Sequence, residues 1–239
     1  MKVIISGYGK MGHMIEGVLQ RRGIELVCAS EDICAIPREI AKECVCIDFT
    51  TPEAFRANYK TLAANFKAVV VGTTGWYDIK EEVYAAFEAA GTPMIWGSNY
   101  SVGVLALFAG IERACEVLKG HGYTPHVEEI HHIHKLDAPS GTAITLAKDI
   151  IEELDRKDDW RLMKKGTRIG KGIIPITAVR EGEVAGIHEV VYDSEIDTIT
   201  LRHAAKSRKG LALGAVLAAE YLEDKHGYFT MKDLLKVES

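Results

Sequence analysis

The sequence predicts an α/β protein: a doubly wound parallel sheet at the N-terminus, followed by a second, mixed α/β domain. Three observations carry that expectation. Through the first hundred residues, short β-branched runs alternate with segments whose apolar residues recur at helical spacing. Most of these runs end in a turn rich in Gly, Thr, Ser or Asn. Beyond Tyr100 the runs lengthen and turn residues separate several of them, as in a mixed sheet.

Residues 2–6 form the first strand, which stops at Gly7-Tyr8-Gly9-Lys10-Met11-Gly12. Met11, Met14, Ile15, Val18 and Leu19 then keep a helical period up to Arg22, and Gly23 ends the helix. A second strand, 25–29, leads into Ser30-Glu31-Asp32. Strand, G-x-G-x-x-G, helix, strand and acid, in that order, read as a dinucleotide site. The glycines permit a tight turn and close approach of a pyrophosphate, the helix N-terminus favours its charge, and the acid accepts a hydrogen bond from a ribose hydroxyl. Gly7, Tyr8, Gly9, Lys10, Met11, Gly12, Glu31 and Asp32 are therefore assigned to that site. Further strands are expected at 45–48, 68–71 and 94–96, with helices starting at Glu53 and running through Ala90 between them. Gly72-Thr73-Thr74 and Gly97-Ser98-Asn99-Tyr100 follow the last two strands at their carboxyl ends, where open α/β sheets bind ligands. The first domain is thus Rossmann-like.

After Tyr100 a helix is expected over 104–118, strand structure from 124 to 134, a helix over 143–154, and β-rich runs at 173–179, 187–193 and 195–203. An apolar helix over 210–222 returns to the first domain. Residues 1–100 with 208–239 make the dinucleotide-binding domain, and 101–207 the second.

The formal net charge of −5 and the lack of a basic run argue against nucleic-acid binding. No apolar stretch approaches the roughly 18 residues of a membrane span, and MKVIISGYGKMG has no signal-peptide core. A soluble, cytoplasmic protein is expected. Cys28, Cys34, Cys44, Cys46 and Cys115 form no CxxC pair, so free thiols in a reducing compartment are expected rather than a disulfide framework or a catalytic cysteine.

The run His131-His132-Ile133-His134-Lys135-Leu136-Asp137-Ala138-Pro139-Ser140-Gly141-Thr142 carries the chemistry. Imidazole is the side chain whose ordinary titration lies nearest neutrality, and Lys135 adds fixed positive charge. Ser140 reads as the N-cap of the helix that follows, so the N–H groups of Gly141 and Thr142 are available to a carboxylate or phosphate. The stretch reads as a proton-transfer site beside an anion cradle. On a strand over 127–134, His132 and His134 would share one face and could offer two metal ligands. No Cys or carboxylate stands at a familiar zinc spacing, and Lys135 would repel a cation, so no metal is assigned.

The glycine-rich start, the GTTGW and NYSVGV loops and HHIHKLDAPSGTA together resemble the 4-hydroxy-tetrahydrodipicolinate reductase family, long called dihydrodipicolinate reductase, along the whole chain. The resemblance implies reduction of a cyclic dicarboxylate imine by NADH or NADPH with release of water, in the diaminopimelate route to lysine. It also implies a second domain for substrate binding and oligomerisation, and a homotetramer. His131 matches the family's proton donor, Lys135 its partner in proton donation and substrate binding, and His132 a substrate contact. Gly141 and Thr142 match contacts to a substrate carboxylate beside Ser140. Gly7 to Gly12 match the pyrophosphate loop, Glu31 the ribose acid, and Gly72, Thr73 and Thr74 with Gly97, Ser98, Asn99 and Tyr100 the loops around the nicotinamide half. Two departures bear on the cofactor: Asp32 stands where many relatives have a basic residue, and Thr51 where some carry arginine. Two carboxylates beside the adenosine ribose favour NADH over NADPH, unless Arg38 or Lys42 folds over them. The 33–44 segment is also short, so one element of the usual sheet is expected to be reduced. Two alternatives use the same features: a reductase of another small dicarboxylate, and a non-catalytic NAD-sensing module, which would not need His131 and Lys135.

Overall fold

A computed structural model describes residues 1–154, 158–164 and 168–234. The chain divides into two compact units, Met1–Val102 with Arg208–Ser239, and Gly103–Ser207. In chain order the first unit contains β1 (Lys2–Ser6), α1 (Lys10–Arg22), β2 (Glu25–Ser30), α2 (Arg38–Ala41), β3 (Cys44–Asp48), α3 (Pro52–Asn65), β4 (Ala68–Val71), α4 (Lys80–Ala90) and β5 (Met94–Trp96). The second contains α5 (Val102–Leu118), β6 (Thr124–His131), α6 (Gly141–Glu153), β7 (Asp159–Leu162), β8 (Ile173–Arg180), β9 (Ile187–Asp193) and β10 (Thr198–Ala204). The chain then returns to the first unit with α7 (Lys209–Tyr221), β11 (Tyr228–Thr230) and α8 (Met231–Leu234).

The first unit is a parallel sheet in the order β11-β5-β4-β3-β1-β2. Its inner strands β3 and β4 are buried throughout, which explains their near-continuous apolar sequences. Ile4, Cys46, Val69 and Val71 pack with Phe55, Leu62, Val83 and Phe87 from α3 and α4. Helix α3 starts where the sequence supplies two start signals at once: the Thr51 hydroxyl accepts the Ala54 N–H at 3.2 Å, and Pro52 occupies the first turn. The 33–44 segment forms a 3-10 turn, Ile33–Ala35, and the four-residue α2; no strand pairs outside β2 among the described residues.

The second unit is a mixed sheet in the order β10-β9-β6-β8-β7, with β6, β8 and β7 parallel and β9 and β10 antiparallel. One face packs against α5 and α6 through Leu107, Ile111, Val127, Leu146, Ile150, Ile176 and Val190. Register makes that face a graded surface. Val127 faces Val190 and Ile176, the next rung is Glu129 opposite His188, and His188 lies opposite His203 on β10. The sheet is apolar towards one end and polar towards the carboxyl end of β6.

Three expectations need correction. The strand expected to run to residue 134 stops at His131, whose carbonyl accepts the Glu181 N–H at 2.8 Å, and the chain turns as Ile133 N–H reaches Gly182 O at 3.1 Å. His132 and His134 therefore do not share a strand face. The run at 195–203 begins only at Thr198, because the Ser194 hydroxyl accepts the Ile196 and Asp197 N–H groups, each at 3.1 Å, and holds a turn there. The short β7 and β11 lie where no strand was expected.

Candidate active site

The residues assigned to the nucleotide lie in the first unit, on loops leaving the carboxyl ends of adjacent parallel strands. Strand order places Glu31 after β2, the glycine loop after β1, Phe49–Thr51 after β3, Gly72–Thr74 after β4 and Gly97–Tyr100 after β5, side by side along one edge. The glycine loop is tightly folded. Gly7 has φ +84°, and a Cβ there would lie 2.7 Å from Phe49 O; a Cβ on Gly12 would lie 2.6 Å from Gly7 O. These two glycines let the loop close on itself. At Gly9, by contrast, a Cβ would meet nothing within 4 Å. That open space at the N-terminus of α1 suits a pyrophosphate approaching the backbone.

The other assigned residues fall into distinct roles. Glu31 is exposed, and one of its oxygens accepts the Tyr8 N–H at 2.7 Å, pinning the acid to the loop. The Tyr8 hydroxyl bonds to Glu16, and its ring lies against His13. Asp32 is engaged locally: its carboxylate accepts the Cys34 N–H at 3.1 Å and caps the 3-10 turn. Arg38 reaches the Ala64 carbonyl at the end of α3 rather than folding over the two acids. Lys10 is exposed and Met11 half-buried. Thr73 is buried, its hydroxyl donating to Asp48 at 2.6 Å and accepting the Thr50 N–H at 2.8 Å; Thr74 is exposed. Gly72 abuts the Phe49 ring and Gly97 abuts Met231. Ser98 is exposed, while the Asn99 side chain accepts the Ser101 N–H at 2.8 Å. Tyr100 is 1% exposed, its hydroxyl donating to the carbonyls of Val71 and Ile95. It shapes the loop from beneath.

Asp48, unread in the sequence, ties this edge together. It is fully buried at the end of β3 and accepts hydrogen bonds from Ser6 at 2.7 Å, Thr50 and Thr73. Burial raises the titration of its carboxyl, against the lowering effect of those hydroxyls.

The histidine-rich run and the residues packed on it lie in the second unit. Alternation along β6 turns Glu129 and His131 to the same face. The His131 Nδ1–H donates to Glu129 Oε2, and the Glu129 side chain has no solvent exposure. Glu129 Oε1 also accepts from Arg180 Nη2 at 2.9 Å and from the Ser140 N–H at 3.2 Å. Burial alone would push this carboxyl up, but the hydrogen bonds and charges of His131 and Arg180 more than reverse that and hold it at about 2. Ser140 caps α6 as its sequence suggests, accepting the Ala143 N–H at 3.3 Å, and its hydroxyl also pairs with His188 Nε2 at 3.2 Å. Burial, with the neighbouring His131 charge, lowers His188 to about 4, so it stays neutral near pH 7. Gly141 is exposed and Thr142 half-buried at the start of α6.

Lys135 pairs with Asp137 at 2.8 Å, and His134 pairs with Glu183 at 2.9 Å. His132 is half-buried, its ring 5.9 Å from that of His134. Arg180 fastens the loop that carries them by donating to Lys135 O at 3.3 Å and Asp137 O at 2.5 Å. The sequence reading missed Glu129, Arg180 and His188. Only Glu129 left a local signal, a carboxylate two residues before a histidine on an alternating strand.

A parallel-sheet dinucleotide loop in one unit and a buried carboxylate–imidazole pair beside a capped helix in the other define a pyridine-nucleotide-dependent oxidoreductase. Comparison with known proteins narrows the class. Residues 1–100 match the family described as dihydrodipicolinate reductase, N-terminus, and residues 103–235 match dihydrodipicolinate reductase, C-terminus. The chain belongs to the dihydrodipicolinate reductase family. It is 41% identical over 237 residues, 98% of each chain, to 4-hydroxy-tetrahydrodipicolinate reductase of Christiangramia forsetii. It is 35% identical over 266 residues to the enzyme of that name from Ralstonia nicotianae, covering 98% of this chain and 99% of the relative. The fold also matches a dipicolinate-bound dihydrodipicolinate reductase from Paenisporosarcina sp. TG-14, with a TM-score of 0.77 at 22% identity over 98% and 99% of the two chains.

Proposed function

We propose that this protein reduces 4-hydroxy-tetrahydrodipicolinate to tetrahydrodipicolinate with loss of water, using a pyridine nucleotide, in the diaminopimelate route to lysine. The observation that carries this reading is the clustering of His131, Lys135 and the Ser140-capped start of α6, which suits a proton donor beside bound carboxylates. NAD(P)H supplies the hydride. Gly7, Gly9 and Gly12 take its pyrophosphate, Glu31 its adenosine ribose, and the Gly72–Thr74 and Gly97–Tyr100 loops flank its nicotinamide half. In the second unit, Gly141 and Thr142 receive one carboxylate at the helix N-terminus. Lys135 exchanges Asp137 for a substrate carboxylate, with His132 beside it. Such anchors align the reacting carbon. Once the 4-hydroxyl has left as water and hydride has reached ring C4, the resulting electron-rich enamine takes a proton from His131, assisted by the charge of Lys135. A non-catalytic nucleotide sensor would not require this acid–base group.

Substrate-dependent loss of NADH absorbance, with freshly generated substrate, tests the reading. Pyridine-2,6-dicarboxylate should inhibit competitively, and Lys135→Ala should weaken that inhibition. No substrate-dependent oxidation would end the proposal.

Residues 1–100 with 208–239 form the proposed nucleotide domain, and 101–207 the substrate and assembly domain. A homotetramer is proposed from the face of the mixed sheet opposite α5 and α6, where Ile130, Val179, Ile187 and Val191 are half-buried. Light scattering should give a fourfold mass; a monomeric mass would refute it. Five free cysteines suit a cytoplasmic location.

A further inference from the structure

We infer that Glu129 is the positioning residue of this reaction: with Arg180 it fixes the proton-bearing edge of His131 and ties that imidazole to the anion cradle. The inference rests on the proposed reduction and concerns a residue that reading does not use. Glu129 is buried and accepts three hydrogen bonds, from His131 Nδ1, from Arg180 Nη2 at 2.9 Å and from the Ser140 N–H at 3.2 Å. An ionised carboxylate only accepts, so the nitrogen facing it keeps its proton in both charge states of the ring. The proton that His131 can give away is then the one on Nε2. Gly186, at φ +150°, keeps a side chain off that edge: a Cβ there would lie 3.1 Å from Nε2. The same carboxylate holds the N-cap residue of α6, and its partner Arg180 holds the carbonyls of Lys135 and Asp137. Proton donor, anion cradle and the lysine loop therefore share one buried anchor.

The charged and titratable groups around the imidazole are few. Glu129 shares its strand, Arg180 comes from β8, His188 from β9 and His203 from β10, and Lys135 and Asp137 come from the loop. Helix α6 has no acidic residue in its first turn. Glu129 is the carboxylate in direct contact with the ring, so it fixes the ring's orientation and tautomer.

The test compares wild type, Glu129→Gln, His131→Ala and the double variant in the NADH-oxidation assay across pH. General acid groups contribute about 10²–10⁴-fold. Glu129→Gln should forfeit at least about 10-fold of that in kcat while the KM for NADH stays unchanged. In the His131→Ala background the same substitution should add almost nothing, because residues acting as one unit are non-additive. Wild-type kcat in Glu129→Gln, or an equal further loss without His131, would overturn the inference while leaving the reduction itself intact. Absence of turnover in the wild type would instead defeat the proposed reaction. If the variant does not fold, nitrogen NMR of histidine-labelled wild type decides: the neutral His131 ring should carry its proton on Nδ1, and a proton on Nε2 refutes the assignment.

Discussion

His131 is 8% exposed and bonded to a carboxylate with no solvent exposure, an environment that makes it a placed group rather than a free surface imidazole. His131→Ala should lower turnover by about 10²–10⁴-fold, the usual range for a general acid, without changing NADH affinity, since the glycine loop belongs to the other unit. Steady-state turnover together with nucleotide titration by fluorescence checks both halves of that expectation. The buried network also sets a pH dependence of stability. Glu129 is lowered from 4.5 to about 2, so the unfolded chain binds a proton that the folded one refuses between those values, and its stabilising effect is lost as pH falls through that window. His188 is lowered from 6.5 to about 4 and acts in the same direction, losing its contribution as pH falls from 6.5 to about 4. Melting temperature should therefore fall steadily on acidification below pH 6.5, and His188→Asn should flatten the upper part of that slope. An unchanged melting temperature down to pH 4 would contradict the burial of His188. The histidine cluster was legible because local sequence holds it. Its supports were not: Arg180 and His188 reach it only through the pairing of β8 and β9 with β6, which no local pattern encodes.

Elements were legible wherever two signals coincided. Helix α1 has apolar periodicity and a closing glycine, α3 has Thr51 with Pro52, and α6 has Ser140 before an apolar stripe. Strands of the parallel sheet announced themselves as buried β-branched runs. What failed was length and ending. β11 and β7 are short and nowhere fully buried, so they lack the continuous apolar run that marked the equally short β4 and β5. β6 ends at His131 because Glu181 and Gly182 across the sheet take over its hydrogen bonding, a long-range cause. The cap of α6 gives the element-scale prediction. Ser140 stops the helix fraying and bonds to His188, so Ser140→Ala should cost about 0.5–2 kcal/mol, the usual range for a lost N-cap. It should also weaken inhibition by pyridine-2,6-dicarboxylate, because the cradle N–H groups lose their fixed direction. Urea unfolding and inhibition assays measure the two effects separately; unchanged values in both would remove Ser140 from the site.

For the whole molecule, the division into two compact units means that the proposed cofactor choice and proton donation can be altered separately. The exposed Glu31 would accept a hydrogen bond from the 2′-hydroxyl of NADH and repel the 2′-phosphate of NADPH. Arg38 is engaged at Ala64, and Asp32, although it caps a turn, still adds negative charge nearby. We expect an NADH preference of about 1–2 kcal/mol in kcat/KM at low salt, given the weakness of partly solvated charges. A clear NADPH preference would show that another basic group supplies the phosphate contact.

The central claim is a hydride transfer to a cyclic dicarboxylate completed by a protein-held proton, and isotope transfer tests it most directly. NADH deuterated at the transferred position of nicotinamide C4, incubated with the enzyme and freshly generated 4-hydroxy-tetrahydrodipicolinate, should give tetrahydrodipicolinate carrying one deuterium at ring C4 by mass spectrometry and NMR. Unlabelled product, or NADH left unconsumed in the presence of substrate, would contradict the account.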